Sequence, residues 1–186
     1  MVKWIGNRIS FNETKERTTI VIEPQRNAAI NALMGAWLAM WYVIGIATLV
    51  YAMDHTFTEK EQVIIWVFAV FWVYYAVGVT RSYLWLMFGK ELIKIDEVGM
   101  HYKRSIRKFG KSKLYLFGNI QDLQFEVPEE SSIQRVWESS PWINGGERFT
   151  FSYFGKIVKF GRKLEEKDCK LLYTLVSKRI QERKKK

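Results

Sequence analysis

Twice along the chain the alternation of apolar and polar positions gives way to a long apolar run. Ala29–Met53 contains no charged residue, and Gln62–Thr80 contains none before Arg81, after which Tyr83–Phe88 continues apolar. A hydrocarbon core of about 30 Å takes roughly 20 helical residues to cross. Inside lipid a single segment satisfies its own backbone only as a helix. Only the short polar turn Asp54–Glu61 separates the two runs. The pattern therefore predicts a helical hairpin over residues 29–88, long enough to span a membrane twice.

Outside the hairpin the period falls to two. Thr18–Glu23 is β-branched and strand-like, with Arg8–Phe11 as a partner, and Pro24 ends it. After Lys90, Ile93 and Ile95 alternate with Lys94 and Asp96, and Met100–Ile106 follows past a turn at Glu97–Gly99. Lys113–Phe117 reads as a further strand. In Ile120–Val127, Leu123, Phe125 and Val127 fall on one side, and Asp122, Gln124 and Glu126 on the other. Residues 128–146 read as loop, with Pro128, Pro141, Asn144, Gly145 and Gly146 as breakers. Two strands close the series: one sets Phe149, Phe151 and Tyr153 opposite Arg148, Thr150 and Ser152, and the next is Ile157–Phe160. From about Glu165 to Gln181, Leu164, Leu171, Leu172, Leu175, Val176 and Ile180 make the apolar stripe of a helix.

Within the hairpin, Asn27 is placed to cap the first helix. Trp37 and Trp41 lie four apart on one face, and Gly35, Ala39 and Gly45 offer close-packing positions. The second run is rich in aromatic residues, and Trp72 and Tyr74 lie too deep to be interfacial anchors alone. Helix packing, lipid-facing bulk and a contact face for another membrane protein all account for such residues. Trp66, Trp72 and Tyr75 are the candidate partner contacts. Arg81, near the end of the second run, can snorkel to lipid phosphates.

Charge orients the hairpin. The 186 residues carry a formal net charge of +10, most of it after residue 88, whereas the Asp54–Glu61 turn is acidic. Lys and Arg flanking a span resist translocation. Both termini are thus expected in the cytoplasm, and the turn outside. The first apolar run starts too far in and runs too long for a cleaved signal peptide, and reads as a permanent anchor.

The single cysteine, Cys169, excludes an internal disulfide and a Cys-based metal site. Lys167 and Lys170 beside it would favour a thiolate, although a lone Cys on a helix flank more often packs. His55 and His101 fall on opposite sides of the membrane in this topology. No P-loop or catalytic triad pattern occurs. No catalytic residue, cofactor or metal ligand is expected, and no nucleic-acid recognition fold accompanies the basic charge.

Two features rise above this background. Lys103, Arg104, Arg107, Lys108, Lys111 and Lys113 put six positive charges around one hairpin. That is either a solvated strand pair or a contact for anionic headgroups, worth about 1 kcal/mol per basic residue close to the surface. Trp137 and Trp142, with Ile133, Val136 and Ile143, make residues 128–146 unusually apolar for a loop. They tuck under the sheet, anchor a partner protein, or dip into the membrane interface.

The order of elements resembles a pleckstrin-homology (PH)-like domain, a bent antiparallel sheet with a C-terminal helix. More closely, the chain is similar to small bacterial membrane-anchored PH-like proteins over about residues 18–181. The stretches that carry the resemblance are Ile20–Asn27 leading into Trp37–Trp41, Phe88–Ile93 after the hairpin, Phe149–Tyr153, and Lys159–Gly161 with Leu164 before the last helix. The resemblance implies an α+β, multi-pass protein of the bacterial inner membrane. Residues 1–28 would form a cytoplasmic N-terminal segment, 29–88 the transmembrane hairpin, and 89–186 a cytoplasmic PH-like domain. The expected function is a non-catalytic accessory, scaffold or assembly subunit docking on integral membrane proteins of a larger complex; the alternative is an anionic-lipid-binding module.

Overall fold

The computed structural model describes residues 2–184 apart from Glu130, Pro141 and Asn144, together with the backbone but not the side chain of Ser139. The expected breakers at Pro141 and Asn144 lie outside the described residues. The class is α+β: an apolar helical hairpin, antiparallel sheets and a C-terminal helix. The chain forms two compact units, one of residues 26–87 and one combining the residues up to Gln25 with those from Phe88 onward.

In the first unit, α1 (Ala28–Asp54) and α2 (Glu59–Phe88) are both long and apolar enough to cross a membrane. Of their apolar windows, 17 % and 6 % are buried. Asn27 caps α1 as the sequence suggests, its side-chain oxygen accepting from the Ala29 and Ile30 amides. The Trp37 and Trp41 rings stack at 5.2 Å. Gly45 leaves room for a neighbouring indole: a Cβ there would sit 2.0 Å from the Trp72 ring. The two indoles lock the crossing reciprocally, Trp72 Nε1 donating to Trp41 O (2.9 Å) and Trp41 Nε1 to Trp72 O (3.4 Å).

Among the described residues the second unit has nine strands. β1 (Val2–Ile5), β2 (Ile9–Glu13), β3 (Thr18–Ile22), β4 (Gly89–Ile95), β5 (Gly99–Ile106) and β6 (Ser112–Leu116) form one antiparallel sheet in chain order. β7 (Ile120–Phe125), β8 (Glu147–Tyr153) and β9 (Lys156–Arg162) form another. Residues 1–28 supply the expected strand and its partner, β3 and β2, and one strand more, β1, to the larger sheet, and Ile9, Ile20 and Ile22 belong to its core. β3 pairs directly with β4, Ile22 opposite Glu91, so the hairpin is inserted between neighbouring strands.

α4 (Glu166–Lys184) buries Cys169, Leu172, Val176 and Ile180 in the core formed by both sheets, while Leu171, expected in the stripe, is 49 % exposed. Phe149, Phe151 and Phe160 are sealed at its centre, each worth about 1.5–3 kcal/mol of burial. Residues 128–146 are not all loop: α3 (Ile133–Ser139) lies among them, with Ser132 accepting the Arg135 amide as its cap.

The sheet unit has two distinguishable ends. At the near end the chain departs after Gln25 and returns at Phe88; the β1–β2 turn, the β5–β6 turn and the start of α4 lie there. At the far end lie the β2–β3 and β4–β5 turns and the end of α4, where Arg183 donates to Lys15 O (2.8 Å) and meets Glu97 (3.4 Å).

Candidate functional site

The basic hairpin forms as expected, and its turn sits at the near end. Gly89 pairs with Ile106, and the Arg107 amide donates to Phe88 O at 3.0 Å. The Arg107 guanidinium lies 4.3 Å from the Phe88 ring centroid, a cation–π contact. Two left-handed residues shape the turn, Arg107 (φ 55°) and Gly110 (φ 146°). At Gly110 a Cβ would meet Arg104 O at 2.1 Å, so the position requires glycine. Phe109 projects from the tip, 83 % exposed, flanked by exposed Lys108 and Lys111. Lys103 folds back to donate to Lys108 O (3.3 Å).

Not all six cations belong to this tip. Arg104 is committed inward: Nε donates to the Tyr102 hydroxyl (2.6 Å), and one terminal nitrogen meets Glu147 Oε1 (2.8 Å) and Lys159 O (3.1 Å). Lys113 pairs with Tyr102 in register, well up the strand from the tip. It lines an open cleft of about 730 Å³ between β6 and β9 with Leu114, Tyr115, Lys156 and Lys159.

Behind Arg104 lies a group the sequence analysis did not single out. Glu91 is 1 % exposed, and its carboxylate accepts from the Gly161 amide (2.8 Å), the Arg162 amide (3.1 Å) and the Tyr102 hydroxyl (3.0 Å). These bonds join β4 of one sheet to β9 of the other. Burial, then the adjacent Glu91 charge, pushes the Tyr102 hydroxyl well above its ordinary pKa and keeps it a donor. The signal was present in the alternation: positions 89, 91, 93 and 95 all face inward, and position 91 is an acid.

A second polar cluster holds α3. Arg148 is 7 % exposed; it donates to Glu138 Oε2 (2.6 Å) and Leu164 O (3.4 Å). Lys163 Nζ donates to Ser140 O (2.8 Å), just past the helix. Burial, then the neighbouring Arg162 charge, pushes the Lys163 amine down to about 8. Arg8 ties this cluster to the departing chain, donating to Lys163 O (2.5 Å), Arg162 O (3.0 Å) and Glu23 O (3.0 Å).

Trp137 is 69 % exposed and Trp142 is 38 % exposed, so neither is tucked into the core. In the hairpin, Trp66 (71 %) and Tyr75 (52 %) are exposed, but nine residues along a helix place them on opposite sides of α2. Trp72 is used inside the hairpin, against Gly45 and Trp41. Arg81 is exposed. Cys169 is fully buried, and burial pushes its thiol up to about 12, against the thiolate its neighbouring lysines suggested. Among the described residues there is no group of three or more side chains able to hold a metal ion. Comparisons with protein-family models, with curated proteins and with solved structures find no match.

Proposed function

We propose that the protein is a non-catalytic, multi-pass protein of the bacterial inner membrane, a PH-like sheet unit held on anionic headgroups by its β5–β6 tip. One observation carries this reading: the tip is bonded to Phe88, the residue at which the apolar helix α2 ends. If α2 crosses the bilayer, Phe88 lies at its surface, and Arg107, Lys108, Phe109 and Lys111 lie there with it. Basic side chains at that depth gain about 1 kcal/mol each from anionic lipid, and Phe109 adds an apolar wedge. The charge asymmetry supports cytoplasmic termini. The antiparallel strands followed by a packed C-terminal helix support the PH-like assignment.

The test uses the full chain with Phe109→Cys carrying a fluorophore, reconstituted in phosphatidylcholine vesicles with and without phosphatidylglycerol. Doxyl-labelled lipid should quench the label more strongly when phosphatidylglycerol is present. Salt, or Lys108→Gln with Lys111→Gln, should reverse that gain. Equal quenching in both lipid mixtures would remove the anionic-lipid role.

A second reading, an accessory or assembly subunit of a larger membrane complex, is favoured by the stripe Trp66, Val70 and Tyr74 at i, i+4 and i+8 on α2, each at least 67 % exposed. As a docking face its truncation with Trp66→Ala and Tyr74→Ala should cost about 2 kcal/mol or more, roughly thirtyfold in affinity.

A further inference from the structure

α3 is amphipathic in the reverse sense from a helix that packs on its own domain. Two of its polar residues turn inward: Glu138 is paired with the buried Arg148, and Arg135 donates to Pro128 O (3.2 Å), while the exposed Gln134 donates through Nε2 to Glu138 Oε1 (2.8 Å). Its apolar residues face out. Ile133, Val136 and Trp137, at i, i+3 and i+4, are 87 %, 68 % and 69 % exposed and fall within about 100° of arc. The side carrying Glu138 and Arg135 is thus the one fastened down, by an ion pair to the buried Arg148, and the fastening presents a bulky apolar ridge outward.

Where the ridge lies is fixed by the hydrogen bonds around it. Ser140, the residue after α3, accepts from Lys163; Lys163 and Arg162 carbonyls accept from Arg8; and Arg8 also donates to Glu23 O. Glu23 is two residues before the chain leaves the sheet unit, and its carboxylate meets Lys90 (3.1 Å), one residue after β4 begins. The ridge is therefore at the near end, the same end as the β5–β6 tip.

We propose that α3 is an interfacial helix, whose Ile133, Val136 and Trp137 ridge lies in the headgroup–acyl boundary of the bilayer that α1 and α2 cross. This rests on the membrane reading above and adds a second lipid contact to it. Tryptophan is enriched at that depth, where an apolar ring with one polar N–H is at home. An amphipathic helix lying in the interface buries an apolar face there while its polar face stays on the wet side. Here the wet side is the protein's own, occupied by Arg148 and the Arg135–Pro128 contact. The tip and the ridge give the sheet unit two feet on the membrane, one mainly electrostatic and one mainly apolar.

The test places single fluorophores on the full chain in vesicles of phosphatidylcholine and phosphatidylglycerol, and reads quenching by doxyl-labelled lipid. Cys169 stays in place, because it is sealed in the core and labels only on unfolding. Trp137→Cys and Ile133→Cys report the ridge, Phe109→Cys the tip, Val70→Cys the span, and Lys15→Cys the far end. Thermal melts confirm that each labelled chain is folded. Quenching at 137 and 133 comparable to that at 109, with none at 15, bears out the proposal. Quenching at 70 and 109 without quenching at 137 and 133 overturns it and leaves the tip's role intact. Absence of quenching at 70 removes the membrane reading itself, and the interfacial helix with it.

Discussion

Glu91 shows at the scale of one residue how the two sheets are fastened. A buried carboxylate is costly to desolvate, yet here two backbone amides and a phenol supply three donors at 2.8–3.1 Å. Glu91→Ala would leave those donors unsatisfied and is expected to destabilise the sheet unit by about 1–3 kcal/mol for each donor that stays buried without a partner. Glu91→Gln, which keeps one acceptor oxygen, should cost less. Chemical denaturation of the two variants checks the order, and equal losses would refute the role of the acceptor. Lys163 gives a pH signature. Its amine titrates near 8 in the fold and near 10.5 when unfolded, so between those values the unfolded chain binds the extra proton. Raising pH through that window therefore favours folding. Below about 8 the penalty for the buried charge is present in full. The advantage of Lys163→Met over the parent chain should be greatest at pH 7 and shrink toward pH 10.5; denaturation midpoints that differ by a constant amount would refute it. Alternation made the Phe149, Phe151 and Tyr153 face legible in the sequence. It could not foresee that Arg148, which shares the other face with Thr150 and Ser152, is buried, because its partner Glu138 lies on α3, in residues that the sequence reads as loop.

At the scale of elements, length decided what the sequence revealed. α1, α2 and α4 are each long enough for their composition or period to declare them. α3 has seven residues, fewer than two full turns, and sits among turn-forming residues. Ser132, which caps it, is the signal in the sequence that points to it. The close approach at Gly45 was legible as a small residue in an apolar helix, but its partner was not, because nothing in the sequence distinguishes Trp72, which fills that gap, from Trp66, which does not. Gly45→Ala would put a methyl group into the indole and disturb the Trp41–Trp72 hydrogen bonds. Overpacking of this kind typically costs about 1–3 kcal/mol. A lowered melting temperature of the detergent-solubilised protein is the expected result; an unchanged one would mean that the helices separate without loss.

At the scale of the molecule, the sheet unit is assembled from both sides of the hairpin. Because β3 and β4 are neighbours, the inserted residues are topologically equivalent to a long hairpin loop. Replacing residues 26–87 by a short turn of about four residues should give a folded, water-soluble protein. Residues 89–186 alone should not fold, since they lack the buried Ile9, Ile20 and Ile22. Circular dichroism and thermal melts of the two fragments check this; a folded 89–186 would show the first three strands to be dispensable. The amino-acid pattern identified β3 and a partner for it, but the pairing of β3 with β4 is non-local, and strand propensity does not say which strands meet across an insertion.

On the membrane reading proposed above, the same β3–β4 pairing would make the domain an inspector of its own insertion. During synthesis β3 would be complete long before β4 exists, and it would wait with an unpaired edge while the two apolar helices enter the bilayer. If either helix failed to cross, β3 and β4 would end on opposite sides of the membrane and the core could never close. A topological error, otherwise silent, becomes an unfolded chain with bare strand edges, the kind of substrate that quality-control proteases remove.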